Sequence, residues 1–232
     1  MKSKYVNMAL LCALITAWLG CSTGAPAPEV EADEATTTPC ESEYTYGGRL
    51  LCMPSYPEYT ACFADTVVSR RFKPLNHGNI VLELYMRPAM LDSLRANPGM
   101  PVSDYHRVWV FRKKWEYFAN DAAIAEAEAA WFEELKQAPR INLSDQAGVD
   151  AIAGTTLVEV YRPRDYMATA VYVVRLPADE GAGLSVMTYS TLALRTKLVF
   201  ANYYLPYTGP GSVREAKQQA EAFGRALLDA NQ

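Results

Sequence analysis

The sequence predicts an α+β domain, an antiparallel β-sheet meander packed by amphipathic helices into an α/β sandwich. Three observations carry that reading. Seven short segments have the composition and alternation of strands. The last four follow one another through short loops, as antiparallel neighbours do and parallel βαβ units do not. Two longer segments each carry one apolar stripe at three- and four-residue steps, and a single stripe needs a surface such as a sheet face to cover it.

The strand segments are Thr66–Phe72, Ile80–Met86, His106–Phe111, Thr156–Tyr161, Ala168–Leu176, Leu184–Leu194 and Lys197–Leu205. Tyr46-Gly47-Gly48-Arg49 reads as a hairpin turn. Arg195-Thr196 must turn the chain between the last two strands, although neither residue is Gly or Asn. Pro88–Ala96 reads as a short helix. A longer one spans Asp121–Gln137, with Ile124, Ala127, Trp131 and Leu135 inward, Asp121 at its electropositive start and Pro139 beyond its end. The C-terminal helix is the clearest. Ser212 and Glu215 have the spacing of a capping box, and Val213, Ala216, Ala220, Phe223, Leu227 and Ala230 form its stripe.

The N-terminus carries an address. Lys2 and Lys4 precede an uncharged, mostly apolar run of 12 residues, Met8–Leu19, too short to span a bilayer, which needs about 20. That is the pattern of a cleaved export signal. The run ends in Trp18-Leu19-Gly20-Cys21, which resembles the lipobox of bacterial lipoproteins, with Trp18 departing from the usual leucine. The resemblance implies a diacylated Cys21, a membrane association through that lipid, and, from Ser22, an outer-membrane location. The competing cut follows Ala25-Pro26-Ala27, with Pro28 in the way, and would give a secreted or periplasmic soluble protein. Residues 22–39 hold three prolines, four acids and no basic or aromatic residue, the composition of a disordered tether. The expected organisation is a signal peptide at 1–20, the lipidated cysteine and tether at 21–39, a cysteine-containing segment at 40–64, and one α+β domain at 65–232.

Export places the remaining cysteines, Cys40, Cys52 and Cys62, in an oxidising compartment. Spacing alone does not choose their pairing. Cys52 and Cys62 bracket a loop already bent by Pro54 and Pro57 and are the favoured pair, with Cys40 a third candidate. In the hairpin register Cys52 faces Glu43, which argues against Cys40–Cys52. No His or fourth Cys stands at zinc-like spacing, so no metal and no cofactor is expected.

The chain has 22 Lys+Arg and 26 Asp+Glu; without the two signal lysines and the four tether acids the folded part stays close to neutral. That argues against nucleic-acid binding, which favours strongly basic domains. Neither His77 nor His106 sits in a metal-ligand spacing, and no P-loop, dinucleotide fingerprint or nucleophile elbow occurs. Two aromatic regions are candidate binding surfaces. One is the run from His106 to Phe118, in which Trp109, Arg112, Lys113, Lys114 and Trp115 mix cations with large rings. The other is the tyrosine group Tyr189, Tyr203, Tyr204 and Tyr207, of which Tyr203 and Tyr204 must face opposite sides of one strand.

The stretch LVEVYRP, ATAVYVVRLP, LSVMTYSTLAL, KLVFANYYLPYTGPGSVREAKQQAEAFGRALLDAN resembles the C-terminal half of PsbP-like and DcrB-like α+β domains. The resemblance implies a domain that binds or assembles other proteins. The expectation is therefore an envelope lipoprotein with an envelope protein partner. The alternatives are a hydrolase acting on an envelope polymer, signalled by a pocket with His77 or His106 beside a buried carboxylate, and a small-ligand-binding module.

Overall fold

Alternating segments from 40 onward lie edge to edge in two sheets. A computed structural model describes residues 40–73, 78–112, 121–176 and 183–232. The elements are, in order, β1 (Cys40–Tyr46), β2 (Arg49–Pro54), β3 (Thr60–Ala61), α1 (Thr66–Phe72), β4 (Asn79–Met86), α2 (Pro88–Ala96), β5 (Tyr105–Phe111), α3 (Asp121–Lys136), α4 (Gln146–Asp150), β6 (Thr155–Arg164), β7 (Met167–Leu176), β8 (Gly183–Leu194), β9 (Lys197–Pro206) and α5 (Pro210–Asp229). β1 and β2 form a hairpin, and the other seven strands form one antiparallel sheet in the order β3-β4-β5-β9-β8-β7-β6. The last four strands are a meander, as their short connections require.

Strand parity divides the sheet into two faces. One carries Tyr85, His106, Val108, Tyr203, Val186 and Leu192, and α5 and the β1–β2 hairpin pack on it around Leu51, Met53 and Phe223. The opposite face carries Leu84, Met86 and Tyr105 under α1 and α2, and Thr191 under α3. Gly224 lets α5 lie close to the sheet, since a Cβ there would fall 2.5 Å from the end of the Met167 side chain. Asn231 ties the end of α5 to the hairpin: its amide accepts from the Cys52 N–H at 2.8 Å and donates to the Cys52 carbonyl at 2.7 Å.

Four expectations are corrected. Thr66–Phe72 is a helix, not a strand. The Asp65 carboxylate caps it by accepting from the N–H groups of Val67 and Val68, and its buried residues, Val68 and Phe72, are four apart. The α5 helix has no capping box: it begins at Pro210 after Gly209, and Ser212 Oγ accepts instead from the Thr208 N–H at 2.9 Å. Among the described side chains of α3 the buried ones are Ile124, Glu128 and Phe132, so after Ile124 the inward face runs one position round from the expected Ala127 and Trp131. Glu128 turns inward because the Thr191 hydroxyl donates to it at 3.0 Å and Arg162 lies 3.8 Å away.

The fourth correction is the disulfide, which joins Cys40 to Cys52 and leaves Cys62 a buried free thiol. The hairpin register is the expected one, with Glu43 opposite Cys52. A bulge between Cys40 and Ser42 then shifts the start of β1, and the two cysteines come within 5.3 Å between Cα atoms. Cys62 belongs to the other cluster, beside α1 and α2, and its thiol donates to the Leu84 carbonyl at 3.3 Å.

The turns are built unequally. Gly47 and Gly48 take left-handed conformations without steric cost, at φ 54° and 74°. Arg195 and Thr196 take the same kind of turn at φ 45° and 70°, where a side chain is disfavoured.

Candidate functional site

β5 presents its residues alternately to the two faces, so neighbours in sequence serve different sites. On the α5 side, cross-strand pairing lines up Tyr85, His106, Tyr203 and Thr188. His106 is 0% exposed, stacked on Phe223 at 4.2 Å and Tyr203 at 4.5 Å, with Tyr56 and Tyr59 edge-on. Beside this cage the Asp104 carboxylate accepts from Tyr59 at 2.5 Å, from Tyr203 at 2.7 Å and from the Arg87 guanidinium, which also binds Glu58 at 2.7 Å. Burial pushes the Asp104 carboxyl upward, but the two hydroxyls and the guanidinium together hold it below the ordinary carboxylate range. Burial also raises the Tyr59 and Tyr203 phenols, and their bonds to Asp104 add to it. With its oxygens committed to three donors and its histidine enclosed, this cluster holds the fold together and offers no open general base.

The buried Glu83 carboxylate is also committed. Glu83 accepts from Ser42 Oγ and Tyr44 OH at 3.0 Å each, and from the N–H groups of Phe63 and Leu84 at 2.7 and 2.9 Å. It fastens the hairpin to β4.

The opposite face is built in rows across four strands. Tyr105, Tyr204, Met187 and Tyr172 form one row; Arg107, Asn202, Tyr189 and Ala170 form the next; Trp109, Phe200, Thr191 and Ala168 form the third. α3 lies over the third row through the Glu128–Thr191 bond, and Trp131 reaches Tyr189 at 5.6 Å. Apart from the buried Tyr105, the first row and Arg107 are covered less. Tyr204, Met187, Tyr172, Tyr189 and Arg107 are all half-buried. Tyr204 stacks flat on Tyr105 at 4.6 Å, and the Arg107 guanidinium lies 5.7 Å from the Tyr204 ring and 5.8 Å from the Trp109 ring. Rigid aromatic rings, an adaptable methionine and a ring-stacked arginine are the side chains that protein interfaces favour.

The expected surface residues are distributed over both faces. Trp109 is buried, stacked on Phe200, and donates from Nε1 to Asn202 Oδ1 at 2.5 Å. Tyr203 is buried under α5, whereas Tyr204 belongs to the half-open row; the two point to opposite faces. Tyr207 lies beyond β9, half-buried against Val149, Ile152 and Val173. Arg112 is exposed at the end of β5. Cys21, His77, Lys113, Lys114 and Trp115 lie outside the described residues. Tyr172 and Met187 went unread, and Arg107 and Tyr189 were read apart, one in the cationic run and one in the tyrosine group, because their grouping depends on register between strands. The usable signal was the parity of Arg107 with Trp109.

An open cleft of about 960 Å³ lies where the turns after β1, β6 and β8 meet the end of α5. Arg49, Arg164 and Arg195 line it, but so does Asp165, and Arg164 pairs with Asp229 at 3.4 Å. It therefore has no strong field of one sign. No helix of the described residues is long and apolar enough to cross a membrane.

No family model matches the chain, and no curated protein matches it. Among solved structures, the Ran-binding protein Mog1p of Saccharomyces cerevisiae aligns over 82% of this chain and 89% of its own, at 13% identity and a TM-score of 0.29. A point mutant of Mog1 aligns over the same shares at 12% identity and the same TM-score. A likeness of this size carries no argument about what the chain does.

Proposed function

We propose that this chain is an exported, lipid-anchored envelope protein whose α+β domain binds or scaffolds a protein partner through the half-open sheet face. The observation that supports the binding role is the row Tyr105–Tyr204–Met187–Tyr172 with Arg107 beside it. Tyr204, Met187, Tyr172 and Arg107 are large side chains that α1, α2 and α3 leave partly accessible, and Tyr204 is held by stacking on the buried Tyr105. Interfaces concentrate their binding energy in such aromatic and arginine anchors. Anchoring rests on the run ending in Gly20-Cys21 and on the acidic tether that follows it.

Both parts have direct tests. A labelled fatty acid should be incorporated at Cys21, and Cys21→Ser should move the protein from the membrane to the soluble fraction; an unlabelled wild-type protein contradicts the anchor. Affinity isolation from the cell envelope should recover a partner with the wild-type chain and lose it with Tyr204→Ala. A partner retained at full yield by Tyr204→Ala and Arg107→Ala contradicts the assignment of the face.

A further inference from the structure

His106 has no hydrogen-bond partner at either ring nitrogen among the described residues, and it is fully buried. An imidazole kept dry and unpaired is costly, and an orphan of this kind requires a reason. What closes over it is the five-residue segment 55–59 between β2 and β3. Tyr56 and Tyr59 stand edge-on to the imidazole at 5.4 and 4.9 Å, and Tyr56 also meets Phe223 at 5.0 Å.

The segment is fastened mainly through side chains. Tyr56 donates to Gln219 at 3.3 Å, Tyr59 donates to Asp104 at 2.5 Å, and Glu58 pairs with Arg87 at 2.7 Å. Ser55, Pro57 and Glu58 are exposed. The two carboxylates that meet on Arg87 both come from residues with left-handed backbones, Glu58 at φ 66° and Asp104 at φ 56°. Non-glycine residues held there carry local strain. The closure therefore combines an unpaired imidazole, two strained backbone positions and side-chain latches.

Among the described residues the charged and titratable groups facing His106 are few. The segment itself brings Tyr56, Glu58 and Tyr59; β4 brings Tyr85 with Arg87 just after it; the loop before β5 brings Asp104; and β9 brings Tyr203. α5 contributes the neutral Phe223 and Gln219. The Asp104 carboxylate is held by Tyr59, Tyr203 and Arg87, and among the described residues no carboxylate bonds to the imidazole.

We propose that residues 55–59 are a hinged strap that opens locally when His106 takes up a proton, uncovering the patch formed by His106, Tyr203 and Phe223. In the closed form burial pushes the imidazole down to about 3; Asp104 opposes this and Arg87 adds to it. In the open form it returns to its ordinary value near 6.5, roughly as in a peptide. Between those values the open state binds one more proton, so opening gains about tenfold for each unit that the pH falls. Asp104 acts in the same direction but later: its carboxyl is held below the ordinary range, so its contribution is lost only at more acidic pH.

Hydrogen–deuterium exchange of the 55–63 segment in the full chain, corrected for intrinsic exchange, tests the strap. From pH 7.5 to 4.5 its opening equilibrium should rise about 100-fold, while β8 and β9 amides stay protected. His106→Phe should flatten the profile, and Glu58→Gln should raise opening at every pH and keep the slope. A flat wild-type profile, or a segment that exchanges only together with β8 and β9, overturns the proposal whether or not the variants fold. An unchanged slope in a folded His106→Phe protein overturns it equally.

Discussion

His106 and Arg107 are adjacent on β5 and face opposite sides of the sheet. His106 points under α5, where Phe223, Tyr203, Tyr56 and Tyr59 enclose it completely. Arg107 points to the other face, where it lies between the rings of Trp109 and Tyr204 and stays half-buried. The α5 face is sealed by a twenty-residue helix, a hairpin and a strap. The other face is covered at its sides, by α1 and α2 at one and α3 at the other, and left partly open between them. Both sides of the sheet bury core residues, but only the second keeps a row of large side chains partly accessible, and the proposed recognition would use it.

The largest expected effect lies on the sealed side. Phe223 is 1% exposed and contacts Tyr56, Tyr85 and His106. Phe223→Ala should cost about 3–5 kcal/mol in denaturant unfolding, whereas Tyr204→Ala on the open side should cost roughly 0.5–1.5 kcal/mol. Equal losses from the two would break the contrast between the faces. Cys40→Ser, which opens the bridge across a sequence separation of 12, should cost about 3 kcal/mol if the hairpin helps to seal that side. Non-reducing peptide mapping that finds Cys52 joined to Cys62 would remove the basis of that value. The smallest effect concerns the turn between β8 and β9. Replacing Arg195-Thr196 by Asn-Gly should raise stability by about 1 kcal/mol, because both positions are left-handed.

The sheet was legible in the sequence wherever a strand kept a steady alternation. The meander from Thr155 to Pro206 matches its predicted segments to within three residues. Thr66–Phe72 misled because Thr66, Val67 and Val68 have strand propensity, while the deciding signals were the Asp65 cap and the spacing of Val68 and Phe72. The inward turn of Glu128 could not be read, since a buried carboxylate depends on a hydroxyl and a guanidinium from strands far along the chain. The disulfide failed on a bulge, a one-residue irregularity that changes which cysteine is near without changing the register beyond it. The candidate surface was half legible for a similar reason. Sequence gave the right kinds of residue, but Tyr204, Met187 and Arg107 become neighbours only through the pairing of three strands.

The proposed recognition through the half-open face is tested most directly by crosslinking in the intact cell. A photoreactive residue at Met187, at the centre of that row, should give an adduct with a single partner in the envelope. The same residue at Arg214, on the exposed side of α5, should give none. An adduct from Arg214 and none from Met187 would contradict the account, and place recognition on the face assigned here to stability.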